Sequence, residues 1–227
     1  MLKENYIKRL KELAGIISEN NIEEKNELND LIYSNEVFLS ENEKFRKYFK
    51  GIQINDYKNK TFPENNSEKT REELLKIKAL KADEEFIREH DNIYYVFKKY
   101  FEENNLDFPK LLVKDLIEAS RYFLMKLKYH YKRPRPYQIA KKMDINLNSI
   151  RLSSAKSPSF PSGHASQSNL IAYVLSDMFP KHEDKLMKIA DNISKSRMMA
   201  KVHFPSDIEY GEKIAKDLFK QYKKNNK

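Results

Sequence analysis

Ser159-Phe160-Pro161-Ser162-Gly163-His164-Ala165-Ser166 stands just ahead of the apolar run Leu170-Ile171-Ala172-Tyr173-Val174-Leu175, in a chain with only four glycines and five histidines. The stretch reads as a helix entrance, and the residues after it keep a helical period. Apolar residues recur at helical spacing over about 162–178, 181–201 and 205–223, with Pro180 dividing the first two segments and Pro205 where a first-turn proline is tolerated. Upstream the same period predicts helices over 91–104 and 110–131, the second opening after Phe108-Pro109 and ending before Pro134 and Pro136. Thr70-Arg71-Glu72-Glu73 has capping-box spacing ahead of the stripe Leu74, Leu75, Ile77, Leu80. Residues 137–160 read as a long irregular loop.

Composition supports an all-α class. Eight prolines and four glycines among 227 residues are few for the many turns of a β fold, and 40% hydrophobic residues can fill a substantial core. The expected architecture is a multi-helix bundle, one all-helical domain over 1–227. Its core part is residues 67–223, and residues 1–66 form an N-terminal helical extension that ends in the polar connector 51–66.

The charge of +9 invites a nucleic-acid reading, but 34 of the 43 basic residues are lysines interleaved with Glu at helical spacing, the pattern of a solvated face. Nucleic acid is therefore not the expected partner. No apolar run reaches transmembrane length, so no membrane span is expected. The first residues lack the apolar core of a secretory signal, which points to the cytoplasm, or to the periplasm if a signal has been removed. Zero cysteines exclude disulfides, thiolate metal sites and thiol catalysis. The sequence leaves open whether the chain is a homo-oligomer.

Chemistry concentrates in three segments. Lys128-Tyr129-His130-Tyr131-Lys132-Arg133-Pro134-Arg135-Pro136 sets cations beside a proline-stiffened turn. Pro161-Ser162-Gly163-His164 offers the unpaired N–H groups and positive dipole end of a helix start, where an anion can sit. Ser196-Arg197 is followed by His203 and Asp207, spaced one helical turn apart so that the carboxylate can hold the imidazole in one tautomer. Each element alone is ordinary. Together they supply cations and N–H donors for an oxyanion, a nucleophile and a proton donor, the inventory for phosphoryl transfer without a metal.

The signature Lys-x6-Arg-Pro, Pro-Ser-Gly-His, Ser-Arg-x5-His-x3-Asp resembles the type 2 phosphatidic acid phosphatase superfamily, which includes bacterial class A acid phosphatases and vanadium haloperoxidases. The resemblance implies that His203 attacks phosphorus, Asp207 orients it, and His164 protonates the leaving alcohol. It implies that Lys128, Arg135, Ser162, Gly163 and Arg197 bind the phosphate of a small-molecule ester, with no metal and no cofactor. Lys126-x6-Arg133-Pro134 fits the first motif as well; the aromatic Tyr137 after Arg135-Pro136 favours Lys128 and Arg135. Alternatives within the superfamily are a vanadate-dependent haloperoxidase and a soluble lipid-phosphate or pyrophosphate phosphatase; outside it, a basic nucleic-acid-binding helical module. His90-Asp91 has no earlier histidine to complete a metal set, so His90 is expected at the surface near a helix junction, and His182-Glu183 lacks the second histidine of a zinc site.

Overall fold

The computed structural model describes residues 43–226, and every regular element among them is helical. In chain order these are α1 (Glu43–Phe49), α2 (Glu68–Ala79), α3 (Glu84–Glu89), α4 (Ile93–Glu103), α5 (Lys110–Tyr131), α6 (Pro136–Lys142), α7 (Gly163–Met178), α8 (Glu183–Met199) and α9 (Pro205–Asn225), with single 3-10 turns at Ile54–Tyr57, Ser153–Ala155 and Pro180–His182. The all-α expectation holds. The helical segments expected before residue 43 lie outside the described residues. No helix among the described residues is long and apolar enough to cross a membrane.

Helix α7 is apolar on two faces, which is what a central helix requires. One face carries Leu170 and Val174 into a core with Leu116, Phe123 and Leu127 of α5 and Ile214 and Leu218 of α9. The other carries Ile171 and Leu175 against Phe97 and Phe101 of α4 and Leu186 and Ile193 of α8. Each fully buried side chain of this size contributes roughly 1.5–3 kcal/mol of transfer free energy. Residues 43–66, assigned by sequence to the extension, supply Phe45, Tyr48 and Phe49 to the first of these cores.

Local chemistry moves two expected boundaries and sets a third, the end of α5, where it was expected. The α2 cap is Ser67, whose side chain accepts from the Thr70 N–H, so the Thr70–Glu73 spacing falls inside the helix instead of starting it. Helix α5 ends at Tyr131 because Lys132 turns left-handed, at φ 51°, before either proline. The loop 137–160 is partly ordered: Pro136 opens α6 as a first-turn proline, and Ser153–Ala155 forms a 3-10 turn. Two small clusters hold these pieces. Leu74, Ile77, Ile139 and Phe204 tie α2 and α6 to the entry of α9, while Ile87, Leu152, Ala200 and Val202 pin the later loop.

Candidate active site

The sequence spacing puts His203 and Asp207 on one helical turn. In the structure His203 precedes α9, and the chain enters the helix through Phe204 in an extended conformation. Asp207, third in α9, reaches back over this entry. Its Oδ2 accepts from the Phe204 N–H at 3.0 Å, from His203 Nδ1 at 3.2 Å and from the Ser159 hydroxyl, while its Oδ1 accepts from Arg133 Nη1 at 2.7 Å. Helix capping and histidine orientation are thus done by one carboxylate. Burial pushes its pKa up, but Arg133, His203 and Ser159 outweigh burial and hold the carboxyl well below its ordinary range.

With Nδ1–H committed to Asp207, Nε2 of His203 carries the lone pair, and Arg135 Nη1 donates to it at 3.0 Å. Burial first, then the Arg135 charge, pushes the His203 pKa well below that of an ordinary histidine. Arg135 is in turn fixed by bonds to the Ser157 carbonyl at 2.8 Å and the Val202 carbonyl at 2.7 Å. Lys128 lies buried on α5, its Nζ donating to the carbonyls of Pro158 at 2.6 Å and Ser159 at 3.2 Å. Burial and the neighbouring Arg135 lower its pKa well below the lysine norm.

Arg133 does not join Arg135 at His203 Nε2; it lies behind Asp207, its guanidinium 4.0 Å from the Phe204 ring and 4.7 Å from the Phe62 ring. Lys126 is half-buried on α5.

Ser162 and Gly163 behave differently from their sequence reading. The Ser162 N–H already donates to the Asp207 carbonyl at 2.9 Å, so it is not available to an anion, and its Oγ accepts from the Ala165 N–H at 3.4 Å. Gly163 and His164 open α7, where N–H groups have no intrahelical acceptor. A side chain at Gly163 would meet only Lys128 Cε, at an ordinary 3.8 Å. The close approach belongs to Gly211 of α9, where a Cβ would lie 2.7 Å from the Ser162 carbonyl oxygen.

On the far side, His164 Nε2 donates to the Asp91 carbonyl at 2.9 Å and lies 3.5 Å from that residue's Oδ1. Burial, then the charge of Arg197, lowers the His164 pKa to about 3, against the opposing pull of Asp91. Arg197 ends α8 with Nη1 on the Asp91 carboxylate and Nη2 on Ser154 Oγ at 3.0 Å, while its Nε is buried without a partner among the described residues. Burial pushes Asp91 up, but Ser154, Arg197 and His164 hold it below the usual carboxylate value.

Asp91 reads in the sequence only as half of an incomplete metal pair. The signal for it is local: it directly precedes Asn92, the cap of α4, on a turn that faces His164. Its neighbour His90, expected at the surface, is buried, with its ring 4.1 Å from that of Phe86 and Nδ1 2.8 Å from the Phe86 carbonyl. The two halves of the site share one electrostatic neighbourhood, since Arg135 depresses His164 as well as His203, and Arg197 depresses Lys128. Lys128, Arg135 and Arg197 lie within electrostatic reach of the two histidines or of one another, while Asp207 is already committed to Arg133. The site suits an anion with several oxygens.

Residues 116–215 match the family described as the PAP2 superfamily, a span that runs from α5 into α9 and includes every site residue expected from the sequence, though not Asp91. Over 107 residues the chain is 30% identical to a protein of Providencia stuartii named non-specific acid phosphatase, covering 47% of this chain and 42% of that one. It is 27% identical to proteins of the same name from Salmonella typhimurium and Salmonella typhi, in each case over 45% of this chain and 41% of the relative. The chain therefore matches about two fifths of the length of these curated relatives.

Proposed function

From the match of residues 116–215 to the PAP2 superfamily, we propose that the chain belongs to that family and is a metal-independent phosphomonoesterase working through a phosphohistidine on His203. The observation that carries this reading is the polarity of the His203 ring: Nδ1–H is tied to Asp207, and the Nε2 lone pair faces Arg135.

In the proposed reaction, the phosphoryl oxygens take the donors of Lys128, Arg135 and Arg197, with the Gly163 and His164 N–H groups and the Ser162 hydroxyl. Arg135 moves its hydrogen bond from Nε2 to phosphate, which frees the nucleophile. Nε2 attacks phosphorus, the P–O ester bond breaks with its electrons passing to the leaving oxygen, and His164 donates the proton that makes this an alcohol. Water then gives a proton back to His164 and attacks phosphorus. The P–N bond breaks, its electrons return to Nε2, and inorganic phosphate leaves. Asp207 stabilises the ring while it carries the phosphoryl group, and the side-chain cations offset the oxyanion charge without a metal.

His164 needs a proton that the unliganded site disfavours. A phosphate offsets the three cations and restores its affinity for a proton. The ester monoanion brings that proton itself, which favours acidic pH because the second phosphate ionisation falls near about 6.

The test is phosphate release from an aryl phosphate together with trapping of an acid-labile phosphoenzyme. His203→Ala is expected to abolish both. Near wild-type turnover in this variant would remove His203 from the mechanism.

A further inference from the structure

Behind Asp207 lies a buried carboxylate that the proposed reaction does not use. Glu73 of α2 accepts the Ser206 N–H on Oε1 at 2.7 Å, and on Oε2 it accepts the Ser206 hydroxyl at 3.0 Å and Arg133 Nη2 at 3.1 Å. The other arm of Arg133, Nη1, reaches Ser206 Oγ at 2.8 Å and Asp207 Oδ1 at 2.7 Å. Arg133, Asp207 and Glu73 are all buried, and the rings of Phe204 and Phe62 bracket the guanidinium. A continuous chain, Glu73–Arg133–Asp207–His203, thus runs from α2 to the imidazole.

We infer that Glu73 is a positioning residue that, through Arg133, sets the orientation and charge of Asp207 and so holds His203 as the Nδ1–H tautomer. The inference rests on the assignment of His203 as nucleophile. A guanidinium is a rigid planar fork, so anchoring one arm fixes the direction of the other. With Glu73 in place, Nη1 is aimed at Oδ1, which leaves Oδ2 turned to His203 Nδ1. Glu73 also takes part of the Arg133 charge, so Asp207 keeps enough negative charge to attract the imidazole proton. Without it, a buried cation would bear on Asp207 alone and weaken that pull.

A cap for α9 would be the simpler role, but Ser206 N–H and Oγ could be served by a neutral amide. Only the bond to Arg133 requires the carboxylate. Glu73→Gln therefore separates the two roles: its amide oxygen still accepts from Ser206, while its charge is gone.

The experiment measures steady-state kinetics on an aryl phosphate and the His203 tautomer from 15N–1H correlation spectra, for wild type and Glu73→Gln. The expected result is a kcat lower by about tenfold or more with KM within about twofold, and a His203 ring that no longer holds the Nδ1–H form alone. A lower melting temperature with wild-type kcat and tautomer would reduce Glu73 to a helix cap and overturn the inference. Should Glu73→Gln not fold, Arg133→Lys carries the test, because an ammonium cannot bridge both carboxylates as the fork does. Wild-type kcat and tautomer in that variant would equally overturn the inference. His203→Ala, run alongside, reports separately on the nucleophile: if it stays active, the proposed mechanism fails, while the tautomer measurement still decides whether Glu73 governs His203.

Discussion

Gly211→Ala puts one methyl group between α7 and α9. Its Cβ would lie 2.7 Å from the Ser162 carbonyl oxygen and 3.3 Å from both Ala165 Cβ and the Ser166 nitrogen, whereas ordinary contact begins at 3.4 Å. The obstacle is backbone, which no rotamer change relieves, so the two helix starts must part by roughly 0.7 Å. Overpacking of this kind costs about 1–3 kcal/mol, while alanine returns about 1 kcal/mol over glycine inside a helix. The net loss is about 0–2 kcal/mol, a fall of 0 to about 8 °C in melting temperature for a domain of this size. Activity is the sharper readout. The Ser162 N–H to Asp207 carbonyl bond, 2.9 Å, joins the helix start carrying His164 to the one carrying Asp207. Displacing one against the other by most of an ångström should lower kcat on an aryl phosphate by about 30- to 100-fold. A kcat within about threefold of wild type would refute the claim that this contact sets the spacing of the two histidines. Gly163→Ala is the contrast: its Cβ meets Lys128 Cε at 3.8 Å, so the melting temperature should not fall.

The remaining predictions concern charge. Asp91→Asn removes the carboxylate beside His164 and the ionic partner of Arg197, so the alkaline limb of the kcat profile should move to lower pH by on the order of one unit; an unmoved limb would detach Asp91 from proton transfer. In phosphate-free buffer, stability should fall as pH drops below 6.5, because His164 binds its proton near 6.5 when unfolded and only near about 3 when folded. The unfolded state takes up the extra proton, so between pH 7 and 5 urea unfolding should show a loss of about 2 kcal/mol from His164, which His164→Asn should abolish. His203 acts in the same direction, whereas the contribution of Asp207 persists until far lower pH, since its folded pKa lies below the unfolded value. Orthovanadate should inhibit as a mimic of the phosphorus transition state, and a chelator should not. Activity lost to a chelator and restored by a divalent ion would refute metal independence.

Most of the fold was legible from local signals. Apolar spacing at 3.6 residues and the proline positions located α4, α5 and α7 to α9 nearly in full, because a buried helix must carry its apolar residues at that period. Short helices were harder. The seven residues of α6 carry too few apolar positions to show a period beside the prolines, and the cap of α2 is a serine three residues before the capping pattern that stands out in the sequence.

For the site, three segments in the sequence already suggest a chemistry of cations, helix start and paired histidine, and it is the family resemblance that names Lys128, Arg135, Ser162, Gly163, His164, Arg197, His203 and Asp207 as the expected set. What only tertiary structure decided is how each group is spent. The Ser162 N–H goes to Asp207, and Arg133 stands behind that carboxylate. Asp91 and Glu73 come in from 73 and 133 residues away in sequence to meet His164 and Ser206. A carboxylate on an amphipathic helix looks the same in sequence whether it meets water or a buried guanidinium. Only packing removes the water, and it is the removal of water that turns Glu73, Arg133 and Asp207 from surface charges into a frame for His203.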